Sequence, residues 1–315
     1  MLTPLLAALA ALAALATATP ALELAPAAAR PGDAVLVQIV GSAVPPRGTL
    51  AGRPLTFWRD GDPALGTWRA LAALPLETPL GAAPCRVTAD GAPLGAELQV
   101  IEPGFTSHAL TLAPRFVEPP PSVKQRLEAD RRAFARAFGQ PFAPPLFRAD
   151  FEWPRRAPTS GRFGDQRVLN GKKQSIHYGL DLTGPRGAPV QAANDGEVVI
   201  AREAYLSGNT VVLWHGGGIY TAYFHLDRMR VRAGQRVRRG DRLGDLGATG
   251  RATGPHLHWG VKVDGLYVDP ESILAIDFTR GTAPPRAARA ASGVAPAAEP
   301  AGAPPEPAVE PAAHE

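Results

Sequence analysis

The chain has 315 residues, of which 45% are apolar and 20% charged, a balance typical of a globular protein and not of a fibrous or wholly disordered one. Its 34 prolines and 33 glycines favour strands, turns and linkers and exclude an all-helical fold. The 33 basic and 29 acidic side chains leave a formal net charge of +4, which suits contact with an anionic polymer but is too small to indicate nucleic-acid binding.

Residues 1–21 form an apolar leader with no charged side chain before Glu23. A core of leucine and alanine followed by small residues predicts a signal peptide, cleaved after Ala18 or Ala21. The weak positive charge at its start leaves an uncleaved membrane anchor as the alternative, because about 20 apolar residues can span a bilayer. Either interpretation predicts an exported protein of the periplasm or cell envelope. We expect no nucleic-acid partner, and membrane contact only if the leader is retained.

Residues 22–118 carry short β-type runs, such as residues 34–40 and 97–101, separated by Gly, Pro and Asp turns. This spacing predicts a small β-sandwich of immunoglobulin-like size. Cys85 is the single cysteine of the chain, so an intramolecular disulfide is excluded. We interpret its thiol as a buried apolar group rather than a nucleophile.

Residues 119–157 are interpreted as a helical connector. Ser122 follows three prolines, and Gln125 stands three positions later, at the spacing of a capping box. Apolar side chains then recur on one side at helical spacing, and they are Val123, Leu127, Phe134 and Phe138. The pattern predicts an amphipathic helix that docks on one of the domains.

Residues 158–278 alternate β-rich runs with glycine turns and predict a second β domain. From residue 283 onward the chain consists almost entirely of Ala, Pro, Glu and Gly, which cannot bury enough apolar surface to fold. Residues 279–315 are therefore predicted to be a disordered tail. The predicted fold class is mainly β, with a small sandwich, a helical connector, a β domain and a tail.

A histidine and a carboxylate stand four residues apart at His177 and Asp181. Nitrogen and oxygen ligands bind zinc at about 2 Å, so their ligating atoms must approach within about 3 to 4 Å of each other. A straight strand would separate the two residues by about 13 Å. The chain must therefore bend between them, and Gly179 is the residue type that permits a bend.

The run that begins at His256 is strand-like, and its period of two places His256 and His258 on one face with Leu257 on the other. One imidazole can then bind a metal while the other faces substrate. His225 ends another strand-like run, residues 219–225, and pairing beside the first run would bring a third imidazole over the same spot.

Together these residues suit a catalytic zinc site, which takes three protein ligands and leaves one position open. Two further imidazoles could move protons and stabilise a tetrahedral intermediate. A lone His-x-x-x-Asp or His-x-His occurs often by chance, and scattered surface histidines are the structural alternative. The presence of both patterns in one exported domain favours the catalytic interpretation.

At these residues the chain resembles the lysostaphin/LytM-type zinc metallopeptidases. The similarity opens at residues 159–164 and closes at residues 267–270. The motifs between them are His177-Tyr-Gly-Leu-Asp181, Gly208-Asn-Thr-Val-Val-Leu-Trp-His215, Tyr223-Phe-His225 and Gly250-Arg-Ala-Thr-Gly-Pro-His-Leu-His258. The last motif, a glycine loop that leads into His-Leu-His, is highly specific.

The resemblance implies that His177, Asp181 and His258 bind one Zn²⁺ ion per chain and that His225 and His256 are the catalytic imidazoles. It also implies a small, mostly antiparallel β domain with its site in an open groove that admits a cross-linked polymer. The implied activity is that of a zinc metalloendopeptidase that hydrolyses peptide bonds in the stems or cross-links of peptidoglycan. We expect the protein to be a monomer.

Some members of this family place a tyrosine shortly before the first histidine to support the oxyanion. Residues 170–176 read Asn-Gly-Lys-Lys-Gln-Ser-Ile here, so a lysine is the open alternative. His215 ends a strand before a triple-glycine turn, and we place it near the groove without a direct role. The arginine-rich run of residues 228–242 could attract an anionic polymer, but its alternation is more typical of a solvated hairpin face.

The bond between D-alanine and a diamino acid is the preferred substrate, because the Ala/Arg/Pro-rich composition and the lack of a wall-binding repeat suggest a periplasmic enzyme. Glycine bridges are the alternative. Two rival functions are a non-catalytic LytM-type module that binds cell wall and activates another hydrolase, and a cytoplasmic phosphocarrier with a surface histidine pair. The complete set of five polar site residues argues against the first rival, and the apolar leader argues against the second.

Overall fold

The structure is a computed structural model that describes residues 19–61, 63–110, 114–171 and 173–279. The predicted signal peptide up to residue 18 and the predicted tail from residue 280 lie outside the described residues. Within the described part of the chain, no helix is both long and apolar enough to cross a membrane. Strands dominate these residues, which confirms the mainly β fold class.

The N-terminal part is built of short strands in two packed sheets. The strands are β1 Ala21–Ala25, β2 Ala28–Ala29, β3 Ala34–Val40, β4 Arg47–Leu50, β5 Arg53–Pro54, β6 Trp58–Arg59, β7 Trp68–Ala73, β8 Gly81–Ala89 and β9 Ala92–Val100. One sheet has the order β1-β3-β7-β6 and the other β2-β9-β8-β4-β5. Val37 of the first sheet and Val87 of the second share one core, which also buries Cys85. The immunoglobulin-like topology stays a prediction.

The segment between the two parts contains β10 Ser107–Leu110, α1 Pro114–Val117 and α2 Lys124–Phe138, with a 3₁₀ turn at Pro121–Val123 before α2. Of these elements, β10 and α1 precede the predicted connector, which begins at residue 119. The predicted capping box is wrong, because α2 begins without a side-chain cap and Ser122 lies inside the 3₁₀ turn. That turn supplies a backbone acceptor instead, since the Lys124 N–H donates to the Pro121 carbonyl. The helix therefore starts on backbone hydrogen bonds.

The C-terminal part is built around one large antiparallel sheet. Its elements in chain order are β11 Thr159–Gly161, β12 Gln166–Leu169, β13 Lys173–Ile176, β14 Leu180–Thr183, β15 Pro189–Gln191, β16 Gly196–Ala204, β17 Gly208–Trp214, β18 Ile219–Leu226, β19 Arg228–Met229, β20 Arg236–Val237, β21 Arg242–Asp245, β22 His256–Val263, β23 Leu266–Val268 and α3 Pro270–Ala275. The large sheet has the order β11-β14-β22-β18-β17-β16-β20, with β23 beside β22. Smaller sheets have the orders β10-β12-β13 and β15-β21-β19.

The large sheet has an apolar face and a mixed face, because successive residues of a strand point to opposite sides. In β22, Leu257 and Trp259 enter the main core, whereas His258 stacks on Phe224 with 5.1 Å between ring centroids. In β18, Tyr223 enters the same core and Phe224 belongs to a separate cluster on the opposite face. The alternation therefore places the histidines of β22 on the face away from the main core.

The helix α2 lies on this second face of the sheet. Phe134 meets Phe224 edge-on, with 6.1 Å between ring centroids. Asp130 accepts a hydrogen bond from the Tyr205 N–H at 2.8 Å and pairs with Arg202 at 2.9 Å. The amphipathic connector therefore docks on the C-terminal part, and on the same face as the β22 histidines.

The N-terminal sandwich packs against the main core of the C-terminal part. Leu36 and Trp58 of the sandwich belong to the same buried cluster as Leu257 of the large sheet. The Arg69 guanidinium donates a hydrogen bond to the carbonyl of Phe278 at 2.7 Å. The two parts are thus joined by a shared apolar core and by polar contacts.

Removal of a side chain from the shared core tests this packing. Leu36 is 0% exposed, whereas Val40 at the end of the same strand is 38% exposed. We expect Leu36→Ala to lower the free energy of unfolding by about 2 to 5 kcal/mol, because it leaves a cavity. The control Val40→Ala should change it by about 0.5 kcal/mol or less. Urea denaturation measures both variants, and equal losses would contradict the shared core.

Two carboxyl groups at the junction between the N-terminal sandwich and the C-terminal part make the stability of the protein depend on pH. Burial raises the pKa of Asp269 to about 7 and that of Asp33 to about 6. Between about pH 4 and pH 7 these two carboxyls therefore hold more protons in the folded protein than in the unfolded chain, so their contribution to the free energy of unfolding falls as the pH rises through this window.

Asp269 caps α3 by accepting a hydrogen bond from the Glu271 N–H at 2.9 Å. Asp269→Asn retains a capping oxygen and removes the ionisable group. We expect this variant to gain free energy of unfolding relative to the wild type between about pH 5 and about pH 8, because only the wild type loses the contribution of Asp269 over that range. Denaturation of both proteins at the two pH values checks this, and an equal change of the free energy of unfolding in both would refute it.

Candidate active site

Three side chains from distant parts of the sequence meet at one point. His177 Nε2 lies 3.1 Å from Asp181 Oδ1, and His258 Nδ1 lies 3.0 Å from the same oxygen. The two imidazole nitrogens are 3.0 Å apart. His177 and Asp181 are buried and His258 is half-buried. The structure therefore brings together the three residues that the sequence nominated as metal ligands.

This arrangement results from the pairing of β14 with β22 and from the close approach of the Gly179 backbone to the His258 ring. The strands β14 and β22 pair with Asp181 opposite His258. His177 follows β13, and the chain turns through Gly179 before β14 begins. A Cβ atom at Gly179 would lie 2.7 Å from His258 Nε2 and 2.7 Å from the Trp259 carbonyl oxygen. Glycine is thus required here because the backbone passes directly against the His258 ring.

A β-bulge brings His225 to the same face. The pairing of β17 with β18 shifts between Asn209 and Val211, where β18 has one residue more than its partner. His225 takes the left-handed backbone conformation, with a φ of 62°. The extra residue shifts the alternation, so that Leu226 returns to the main core while His225 faces the site.

The rings of His225 and His256 lie side by side, with 4.9 Å between centroids. His225 Nδ1 is 2.8 Å from the carbonyl oxygen of Thr249, and His256 Nδ1 is 2.9 Å from that of Gly254. A carbonyl only accepts, so each Nδ1 carries the proton and each Nε2 keeps a free lone pair. Both imidazoles are therefore oriented as proton acceptors.

Burial and neighbouring charges set the protonation of the site. Burial lowers the pKa of His258 to about 4, and burial together with His256 and His258 lowers that of His225 to about 3. Burial alone would raise the pKa of Asp181, but its contacts with His177 and His258 hold it well below its usual range. At neutral pH the site therefore holds an ionised carboxylate and neutral imidazoles at His225 and His258, the forms that bind metals.

The three converging atoms fit a zinc ion. His177 Nδ1 is 2.8 Å from the Arg162 carbonyl oxygen, so it carries the proton and leaves Nε2 free to bind. Donor atoms around a tetrahedral zinc with bonds of about 2 Å lie about 3.3 Å apart. The observed separations of 3.0 to 3.1 Å are close to that value. Two nitrogens and one carboxylate oxygen are also a donor set that zinc accepts.

Other sequence predictions have different outcomes. His215 does not lie near the groove: it is 0% exposed, and its ring nitrogens contact the Asp195 carbonyl and the Thr221 hydroxyl within the core. Lys172, one of the lysines considered for oxyanion support, lies outside the described residues.

Sequence reasoning missed Arg167, whose guanidinium contacts Asp181 at 3.0 Å, because a lone arginine in a short strand carries no periodic signal.

Two arginines of the arginine-rich run are held in ion pairs. Arg230 and Arg242 both contact Asp245, each at 2.7 Å. Arg230 and Arg242 are partly exposed, as expected for a solvated face. This pairing supports the structural interpretation of these two arginines.

Comparison with known proteins places these residues in a family. Residues 175–270 match peptidase family M23. Over 98 residues the chain is 46% identical to the peptidoglycan DD-endopeptidase ShyA of Vibrio cholerae, a match that covers 31% of this chain and 23% of ShyA. It is 39% identical over 98 residues to the DD-carboxypeptidase/endopeptidase Mpg of Neisseria meningitidis, covering 31% and 23%. The chain thus spans about a quarter of the length of these relatives.

A solved structure extends the likeness beyond the matched domain. A peptidase M23 structure from Pseudomonas aeruginosa superposes with a TM-score of 0.58 at 29% identity, covering 78% of this chain and 94% of that one. The likeness therefore includes part of the chain outside residues 175–270. Together with the family match, it confirms the resemblance drawn from the histidine motifs: the chain carries a domain of peptidase family M23.

Proposed function

We propose that this protein is a zinc-dependent endopeptidase that hydrolyses peptide bonds in the stems or cross-links of peptidoglycan. The main support for the proposal is that His177, Asp181 and His258 converge, with the imidazoles of His225 and His256 beside them. The names of the relatives ShyA and Mpg support a DD bond, between D-alanine and a diamino acid, over a glycine bridge.

His177, Asp181 and His258 would hold the zinc ion. When bound, zinc would polarise the scissile carbonyl and lower the pKa of the attacking water. The carboxylate of Asp181 supplies the one negative charge of the ligand set, and the neutral imidazoles supply nitrogen lone pairs. Three protein ligands leave a coordination position for water or substrate.

His225 and His256 would move protons during hydrolysis. Each carries its proton on Nδ1 against a backbone carbonyl, so its Nε2 can accept a proton from the attacking water and return it to the leaving amine. Burial keeps His225 uncharged at neutral pH, because its pKa is about 3. A positioned general base or acid contributes typically about 10²- to 10⁴-fold to the rate.

The proposed setting is the cell envelope. The apolar residues 1–21 support export, and the net charge of +4 suits an anionic wall polymer. We propose that the protein acts as a monomer in the periplasm, touching the membrane only if the leader is retained. The rival function, a non-catalytic module that activates another hydrolase, would not need the two imidazoles oriented as proton acceptors.

Incubation with cross-linked peptidoglycan tests the activity. We expect the zinc-loaded protein to release new amino groups and to consume cross-links, and we expect a chelator to stop both reactions until zinc is restored. Mass analysis of digested muropeptides of defined structure identifies the bond. Intact cross-links in the zinc-loaded sample would favour the non-catalytic module.

Two substitutions separate metal binding from proton transfer. We expect His177→Ala to lose both bound zinc and activity, because it removes a ligand. His256→Ala should retain zinc and lose turnover by about 10²- to 10⁴-fold. Metal analysis and muropeptide turnover of purified variants measure the two effects, with Arg230→Ala, which breaks an ion pair in another sheet, as the control. Full activity in the His256 variant, or unchanged zinc in the His177 variant, would contradict the assignment.

A further inference from the structure

The carboxylate of Asp181 divides its two oxygens between different partners. Oδ1 faces His177 and His258, at 3.1 and 3.0 Å, whereas Oδ2 contacts the Arg167 guanidinium at 3.0 Å. Both partners of this ion pair are buried, with 8% of Arg167 and 3% of Asp181 exposed. We infer that Arg167 is a positioning residue, which holds Oδ2 away from the zinc site so that Oδ1 alone is presented to the metal.

The surroundings leave the carboxylate little room to rotate. Gly161 of β11 stands against the ion pair, and a Cβ atom there would lie 2.7 Å from Asp181 Oδ2 and 2.8 Å from the Arg167 guanidinium. The same Cβ would lie 3.2 Å from a ring carbon of His177. The backbone of Gly161 therefore stands close to Oδ2 and to the guanidinium, and it limits the movement of both.

The strand that carries Arg167 is fixed on both sides. The strand β12 pairs with β13 on one edge and with β10 on the other, where Arg167 stands opposite His108. The strand β13 leads directly into His177, so one hairpin supplies a proposed zinc ligand and the support of another. The strand β10 completes the small sheet and thereby helps to place the guanidinium.

Charge makes arginine suitable for this position. A guanidinium stays protonated in proteins. The charge of Arg167 therefore offsets the buried carboxylate before any metal binds. Partners that orient ligating groups in this way typically change metal affinity by about 10- to 100-fold.

Metal affinity tests the inference, which rests on the proposed zinc site. We expect Arg167→Met to weaken Zn²⁺ binding by about 10- to 100-fold in competition with a chelator. Arg167→Lys should lose less zinc affinity, because lysine keeps the positive charge although it lacks the planar guanidinium fork. Arg230→Met, which breaks a pair with Asp245 in another sheet, is the matched control and should bind zinc like the wild type.

Two further measurements separate positioning from general destabilisation. The absorption spectrum of bound Co²⁺ should change in Arg167→Met and not in Arg230→Met, because only the first change frees Asp181 to alter its coordination. In an Asp181→Asn background, Arg167→Met should cause no further loss of zinc affinity. If Arg167→Met does not fold, Arg167→Lys provides the same comparison.

The outcomes of this test and of the proposed function are distinct. Wild-type zinc affinity and an unchanged Co²⁺ spectrum in Arg167→Met would overturn the positioning role while leaving the peptidase intact. The positioning role would also be overturned if Arg167→Met weakened zinc binding in the Asp181→Asn background as much as it does in the wild-type background. A wild-type protein that binds zinc but leaves peptidoglycan uncut would end the proposed function, and weakened binding in Arg167→Met would still support the inference.

Discussion

The site depends on the pairing of β14 with β22, which sets Asp181 opposite His258. A slip of one residue would turn Asp181 into the apolar core, because successive side chains of a strand point to opposite faces. Leu180 and Leu182 flank Asp181 and are 1% and 0% exposed, so such a slip would also bring both leucines out of the core. Packing on one face of β14 thus fixes the position of the carboxylate on the other.

Burial gives this site its electrostatic character. A carboxylate removed from water is stable only when charges or hydrogen bonds replace its hydration. Asp181 obtains them from Arg167 and from the histidines that share its Oδ1. The same burial keeps His225 and His258 uncharged, with pKa values of about 3 and about 4. A single arrangement therefore provides an anionic ligand, neutral nitrogen ligands and a neutral proton acceptor.

The rest of the chain supports the large sheet on both faces. The N-terminal sandwich contributes Leu36 and Trp58 to the core behind the site. The connector contributes α2 to the face that carries the histidines, where Phe134 contacts Phe224 and Phe224 stacks on His258. The strand β10, which precedes the connector, pairs beside the hairpin that leads into His177. The surroundings of the site are therefore built from all parts of the described chain.

The sequence by itself determined the mainly β class and nominated the five polar residues of the candidate site, because strand alternation and short motif spacing are local properties. Only the tertiary structure decided how these residues meet: the bulge that turns His225 toward the site, the contact of Gly179 with the His258 ring, the ion pair of Arg167 and the burial of His215 in the core. The capping box failed for a similar reason, since a 3₁₀ turn supplied backbone acceptors first. Local patterns set which face a side chain takes, whereas strand register and close approach depend on contacts between residues far apart in the chain.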